Sequence, residues 1–348
     1  METFWFIALV FMMIMYVILD GFDLGMGIFF LKIAKTDDER RTLLNSIGPV
    51  WDGNEVWLIA AGGTLFFAFP KFYASSFSGF YLPFMILLWL LIGRALGIEL
   101  RKHINNNLWK SFWDVIFSIS SILITIIFGA ALGNVMRGVP IQQDGYFFEP
   151  LWTTLTVVPE AGILDWYTIL MAGVAVITLT AHSANFTAMK TDGALQQRAR
   201  NISRRTNAAI IAISLIMFIS TTIIRPELWN NYFIHLWGFI FPLAGLAGMI
   251  GMIYFRGREN DNRAFISSSI VIAGMLAGTA FGLYPSLLQS TINPDYSLTI
   301  YNTNAGNYGL AIGTYWWIGG MILAAVYFAY LFYIFKGKVK ILNDDEGY

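Results

Sequence analysis

Two aspartates, Asp20 and Asp23, stand three residues apart in LDGFDLG, inside an otherwise apolar stretch. That spacing puts both on nearly one face of a helix. A second acidic pair at the same spacing, Asp52 and Glu55, lies in WDGNEVW among Trp51, Asn54 and Trp57. Carboxyl groups held away from water can keep a proton near neutral pH. Joined by water, they can pass it on. The chemistry open to these residues is proton uptake and transfer, with an entrance at Asp52 and Glu55 and deeper stations at Asp23 and Asp20. A plainer reading stands beside it. Asp52 can serve as a helix cap, and Asp20 and Asp23 can be structural carboxylates paired with Arg94, which lies in a later apolar run. Arg94 and Glu99 are five residues apart, so they face different ways and Arg94 is free to meet an acid on another helix.

The elements that hold these residues are membrane spans. Of the 348 residues, 57% are hydrophobic and only 13% charged, with mean hydropathy +0.60. Soluble domains carry about 25% charged residues, so lipid must cover much of this chain. Trp, Tyr and Phe make up 16%, and Trp and Tyr favour bilayer interfaces. A span needs roughly 20 apolar residues. Nine such runs are predicted, at 3–31, 51–70, 76–100, 113–136, 162–188, 206–224, 232–255, 265–288 and 313–335. The second is the weakest, because it opens on charged and small residues. The fifth is predicted to break near its end, at His182 and Asn185. The fold class is thus an all-α polytopic membrane protein forming one integral membrane domain. Eight of the helices fit two four-helix bundles, with the ninth peripheral.

Orientation follows from the basic residues, which gather on the cytoplasmic side. One set of alternate loops and the tail holds Lys32, Lys35, Arg40 and Arg41; Arg101, Lys102 and Lys110; Lys190, Arg198, Arg200, Arg204 and Arg205; Arg256, Arg258 and Arg263; and Lys336, Lys338 and Lys340. The opposite loops hold Lys71, Arg137 and Arg225. Eighteen against three puts the amino terminus outside and the carboxyl terminus in the cytoplasm. The first run lacks a basic start and a cleavage site, so it reads as a retained span. Asp20 lies 12 residues before Lys32, roughly 18 Å inside the inner edge at 1.5 Å per residue. Gly21, Gly25 and Gly27 beside it would let another helix come close. The long outer loops, 137–161 and 289–312, are expected to form ordered caps. The acidic tail after Lys340 is expected to be disordered.

Other chemistries are poorly served. Net charge is zero, which gives no case for nucleic acid, and cysteine is absent, which removes thiolate metal sites. The histidines are His103, His182 and His235, with no two on one helix, and the 14 Met are scattered as packing residues. No haem or metal site is expected in this chain alone.

The segment DGFDLG, followed by TDDERRTLLNSIGPVWDGNEVWLIAAGGTLFFAFPKFYASSFSGFY, resembles the second subunit of the cytochrome bd-type quinol oxidases. Weaker matches are Arg94 and LGNVMRGVP at the end of the fourth run. The likeness is strong over residues 17–140 and rests beyond that on span number, topology and length. It implies a complex in a bacterial inner membrane that oxidises quinol and reduces dioxygen to water, drawing protons from the cytoplasm. A larger subunit would carry two b-type haems and one d-type haem, and small single-span subunits attach in some complexes. The haem-free second subunit would stabilise that partner and help line the proton route. On the family's pattern the acids of that route match Asp23 and Asp52, with Trp51 in the same motif. Glu55 stands where some relatives have Gln. Some relatives hold a structural quinone in this subunit, and nothing in this sequence marks a pocket for it.

Two alternatives compete. A proton-coupled secondary transporter would also carry intramembrane acids, but in matching positions of two halves. Here the acids cluster in the first three spans, with no matching set in spans five to eight. An assembly or anchoring protein without a proton role needs the same helices.

Overall fold

The first apolar run forms one unbroken helix, α1 (Glu2–Ile33), in a computed structural model that describes residues 1–339. The acidic tail lies outside the described residues. The chain continues through α2 (Asp37–Ile47), α3 (Trp51–Ala68), α4 (Pro70–Gly79), α5 (Tyr81–Leu100) and α6 (Asn107–Arg137). It then forms α7 (Trp166–Lys190), α8 (Gly193–Ile224), α9 (Asn230–Ile234), α10 (Ile240–Gly257), α11 (Asp261–Leu283) and α12 (Asn307–Ile334). Among the described residues, eight helices are long and apolar enough to cross a membrane, or nine if the bent pair α3–α4 is counted as one span.

Helix α1 is the axis of the fold and packs against α3, α6, α7 and α11. Its glycines make that possible. A Cβ on Gly25 would collide with the Leu179 carbonyl and stand 2.6 Å from the Ser183 Cβ, and one on Gly27 would collide with Ser121. Helices α1, α3, α5 and α6 form one group and α7, α8, α10 and α11 a second, joined where α7 meets α1 and α6. Helix α12 lies outside both. Only its Leu310 is buried, and it touches the body through rings such as Trp317 against Phe4 and Phe328 against Trp57.

Several boundaries differ from the expectation. The run 51–70 is helical only to Ala68, where the axis turns by 118° into α4, with Pro70 in its first turn. The third span consequently starts at Tyr81, not 76. Proline has no N–H to continue α3 but fits a helix start. Span five does not break. Helix α7 runs straight through His182 and Asn185, because both side chains find partners on other helices. The helix of span six starts at Gly193, so Arg198, Arg200, Arg204 and Arg205 belong to its first turns. Span seven is preceded by the short α9, and span eight ends at Leu283. Residues 286–288 form instead strand β1 (Ser286–Leu288), paired antiparallel with β2 (Leu298–Thr299). Helix α2 falls in a stretch read as loop, with Thr36 capping it through the Glu39 N–H.

Both faces are clamped by charge. On the cytoplasmic side, buried Asp114 of α6 accepts from Arg101 (2.5 Å) and Arg40 of α2 (2.8 Å), while Glu39 pairs with Arg198 of α8. On the outer side, residue 139 bridges to 290, so the two long loops close over the helix ends together. Gly138, at φ +91°, makes that turn; a side chain there would strike Arg225 and the Gln289 carbonyl.

The centre of the outer cap is Arg137, fully buried at the end of α6. It binds Glu149 (2.7 Å), Asp165 at the start of α7, and the Asn134 side chain (2.6 Å), while Arg225 donates to the Arg137 carbonyl. One guanidinium thus faces two buried carboxylates. Burial pushes the Glu149 carboxyl up to about 8, against the pull of Arg137 and with Asp165 adding to the rise. A carboxyl raised in this way stabilises the fold in its protonated form. That contribution is complete below the ordinary value of 4.5 and is lost as pH climbs through about 8. The thermal midpoint of the purified complex is therefore expected to fall between pH 6 and pH 9, and Glu149→Gln to flatten that part of the profile. A profile equally steep in the variant would contradict the assignment.

Candidate functional site

The site lies where α1, α3 and α5 meet. Position 51 begins α3, so Trp51, Asn54 and Trp57 fall on its buried side, turned towards the rest of the fold. Asn54 Nδ2 donates to Asp23 Oδ2 (2.8 Å) and to the Leu19 carbonyl (3.3 Å). Trp51 joins the core, and the Trp57 ring meets Phe11 edge-on and Phe328 at a tilt.

Arg94 of α5 is 0% exposed and spans two acids. Its Nη1 donates to Asp20 Oδ1 (2.6 Å) and its Nη2 to Glu55 Oε2 (2.8 Å). Asp20, Asp23 and Asn54 are each fully buried, and Glu55 keeps 20% of its side chain exposed. An isolated charge at this depth is very costly, and the shared guanidinium gives Asp20 and Glu55 a common partner. Asp23 has no such cation; among the described residues its partner is an amide.

Of the residues singled out by sequence, Asp20, Asp23, Asn54, Glu55 and Arg94 come together. Glu55 sits with Arg94 opposite Asp20, one helical turn deeper than Asp52. Asp52 stands exposed in the first turn of α3, without a side-chain cap bond, near the cytoplasmic edge. Glu99 is apart from the cluster. Its side chain is 38% exposed at the cytoplasmic end of α5, 3.9 Å from Lys102.

Sequence reading missed Tyr16, which lies one turn from Asp20 and is buried. Its hydroxyl belongs to a local group of polar atoms without a protein partner: Tyr16 Oη, Asp20 Oδ2, Asp23 Oδ1, Asn54 Oδ1 and Arg94 Nε. Buried polar atoms nearly always have partners. A concentration of orphans around two carboxylates is the signature of a place that takes ordered water. The spacing Tyr16–Asp20 on one helix face was the available signal.

The second helix group carries a polar set of its own. Arg256, 2% exposed, binds Asp261 (2.5 Å), Asn185 (2.7 Å) and Ser203 (3.2 Å). Asp261 is the first residue of α11, however, so this set lies at the cytoplasmic rim and contains no acid in mid-span.

His182 does not fit an iron ligand. Both ring nitrogens of His182 are engaged, with Ser268 Oγ and the Ile18 carbonyl, each at 2.8 Å. His103 holds the Glu99 carbonyl at a helix end, and His235 is exposed at the outer rim.

Comparison with known proteins agrees with this architecture. The model of the family described as cytochrome bd terminal oxidase subunit II matches residues 1–335. Over 88% of both chains, this one is 29% identical to the cytochrome bd ubiquinol oxidase subunit 2 of Bacillus subtilis. It is 27% identical to the cytochrome bd-I ubiquinol oxidase subunit 2 of Escherichia coli K12, over 96% of this chain and 94% of that one. The structure of the bd oxidase from Geobacillus thermodenitrificans contains a chain that superposes with a TM-score of 0.72 at 19% identity, covering 96% of this chain and 98% of that one. The chain belongs to the cytochrome bd terminal oxidase subunit II family and is a membrane-embedded subunit of a quinol oxidase complex.

Proposed function

We propose that this chain supplies protons to the oxidase, taking them from the cytoplasm at Asp52 and passing them by water to Asp23 and then towards Asp20 and Tyr16. The observation that carries the reading is the set of orphaned polar atoms around two fully buried carboxylates. The order follows from depth: Asn54, on which Asp23 rests, lies two residues inward of Asp52, and Asp20 is a further turn along α1. Asp23 is the exchangeable station. It has no cation beside it, whereas Asp20 and Glu55 are both held by Arg94. The larger subunit, as the resemblance implies, holds two b-type haems and one d-type haem. This chain's own contribution is proton delivery and a rigid wall for that partner.

Asp23→Asn keeps the size and the Asn54 contact but removes titration. Oxygen consumption by the assembled complex is expected to fall at least about tenfold, since positioned proton transfer contributes 10²–10⁴-fold. The d-type absorption band should remain. A normal rate with normal haem content would overturn the relay at this position, and loss of haem would assign Asp23 to structure instead. Asp52→Asn is expected to give a smaller loss, because an exposed mouth has water to replace it.

A further inference from the structure

We infer that the groove between the cytoplasmic end of α12 and the ends of α2 and α7 is a binding site for one anionic phospholipid, its phosphate held by Lys190 and Lys336 and its chains laid along Phe186 and Phe332. The inference does not rest on the proton route.

Lys190, the last residue of α7, is 9% exposed, and among the described residues no carboxylate pairs with it. Its ammonium donates to the Phe335 carbonyl and stands 5.9 Å from the centre of the Phe186 ring. Neither contact supplies a negative charge. A buried, uncompensated cation is costly, and a three-donor ammonium with one bond made has two left.

Lys190 lines a groove of about 360 Å³. The inward wall is apolar, with Val50, Phe186 and Phe332, and the mouth is polar, with Asn45, Lys336 and Lys338. A wall that changes from apolar to cationic over one molecule's length suits an amphiphile. The level is right for a headgroup: Lys190 ends one span and Ile334 another, both at the cytoplasmic edge. That leaflet carries the anionic lipids that attract Lys and Arg there. Asn45 Oδ1, buried and without a partner, can accept a headgroup hydroxyl.

The groove exists because α12 stands off from the body. After α12 the chain turns at Gly337, φ +94°, which brings Lys338 onto Asp192 and the Val339 N–H onto the Lys190 carbonyl. This turn ties the end of α12 to the α7–α8 corner. Lys338 is neutralised by Asp192, whereas among the described residues Lys190 and Lys336 have no acid. A lipid phosphate supplies the charge they lack.

Residues 340–348 include Asp344, Asp345 and Glu346, so the tail is the competing occupant. The test uses the purified complex, delipidated in detergent and titrated with phosphatidylglycerol or phosphatidylcholine under native mass spectrometry. The wild type should retain one phosphatidylglycerol per complex. Lys190→Met should weaken that binding by about tenfold, on the scale of the attraction of one basic residue for an anionic lipid surface together with its buried bonds. Lys336→Glu, at an exposed position, should weaken it as well and serves if Lys190→Met does not assemble. Phosphatidylcholine binding should not change. A chain ending at Val339 should bind phosphatidylglycerol as the wild type does. Equal retention of the two lipids, or retention indifferent to both lysine variants, would overturn the proposal. So would a lipid taken up only after the tail is removed, which would make the tail the native occupant.

Discussion

A chain carrying Arg94→Leu is expected to fail to accumulate in membranes. The substitution leaves Asp20, fully buried, and Glu55, four-fifths buried, facing one another without the guanidinium that now bonds both. Removing one partner of a buried ion pair costs about 3–5 kcal/mol, on the order of 10²–10³ in a folding equilibrium. The effect should exceed that of removing either acid, because Arg94 is common to both bonds. Arg94→Lys should recover only part of the loss, since an ammonium is a compact charge and cannot span two carboxylates as a planar fork does. The decisive variant is Arg94→Leu combined with Asp20→Asn and Glu55→Gln, in which no charge is left uncompensated. Its level in membranes should exceed that of Arg94→Leu alone, whatever its oxygen consumption. Immunodetection of a tagged chain in washed membranes reads this directly. If the single variant accumulates normally, Arg94 is not what carries the two acids, and the electrostatic account of the site falls.

How much of this was visible in the sequence depended on whether a feature is decided locally or by a neighbour. The spans were legible because a charged residue in lipid is costly enough to leave long gaps between charges, and the loops that were assigned to one side do meet there: Glu39 with Arg198, Asp37 with Arg101 and Lys110. The meeting of Arg94 with an acid was legible for the same reason, since a cation in a span must find a partner. Which acid was not. Asp20 and Asp23 share a face and differ only in what stands opposite, Arg94 for one and Asn54 for the other. His182 and Asn185 looked like a break because a polar residue in an apolar run reads the same whether it faces water or a hydroxyl on the next helix. Here Ser268 and Ser203 supply those hydroxyls. The turn at Pro70 was open to local reasoning, and the length of the flanking apolar runs hid it. Helix α2 and the paired outer loops owe their order to contacts with distant segments, which spacing alone does not encode.

The close approach of α1 and α7 gives the second large effect. Gly25→Leu is expected to prevent stable folding, and Gly25→Ala to lower the thermal midpoint of the detergent-purified chain clearly. The atom a new Cβ would meet first is the Leu179 carbonyl oxygen, with the Leu179 carbonyl carbon at 2.7 Å and the Ser183 Cβ at 2.6 Å. The first two belong to the α7 backbone, so no rotamer change relieves the clash. The helices must separate, opening the wall that holds Phe22 against Phe186 and His182 against the Ile18 carbonyl. Overpacking of a tight core costs about 1–3 kcal/mol, and more when backbone must move. Gly27 makes a useful contrast. Its Cβ would meet the side chain of Ser121, so Gly27→Ala should be partly rescued by Ser121→Gly, whereas no single side-chain truncation on α7 rescues Gly25→Ala. Gly63 and Gly320, also within helices, have no atom of another described segment within 4 Å of a new Cβ. There the same substitution should be neutral or gain up to about 1 kcal/mol from reduced backbone freedom. Thermal midpoints that drop equally at positions 25, 63 and 320 would show that loss of glycine itself, and not the crossing of α1 with α7, is what the fold cannot tolerate. A drop confined to 25 and 27 would locate the stability of α1 in its seams with α7 and α6, so that Asp20 and Asp23 are held in place by packing away from the acids' own partners on α3 and α5.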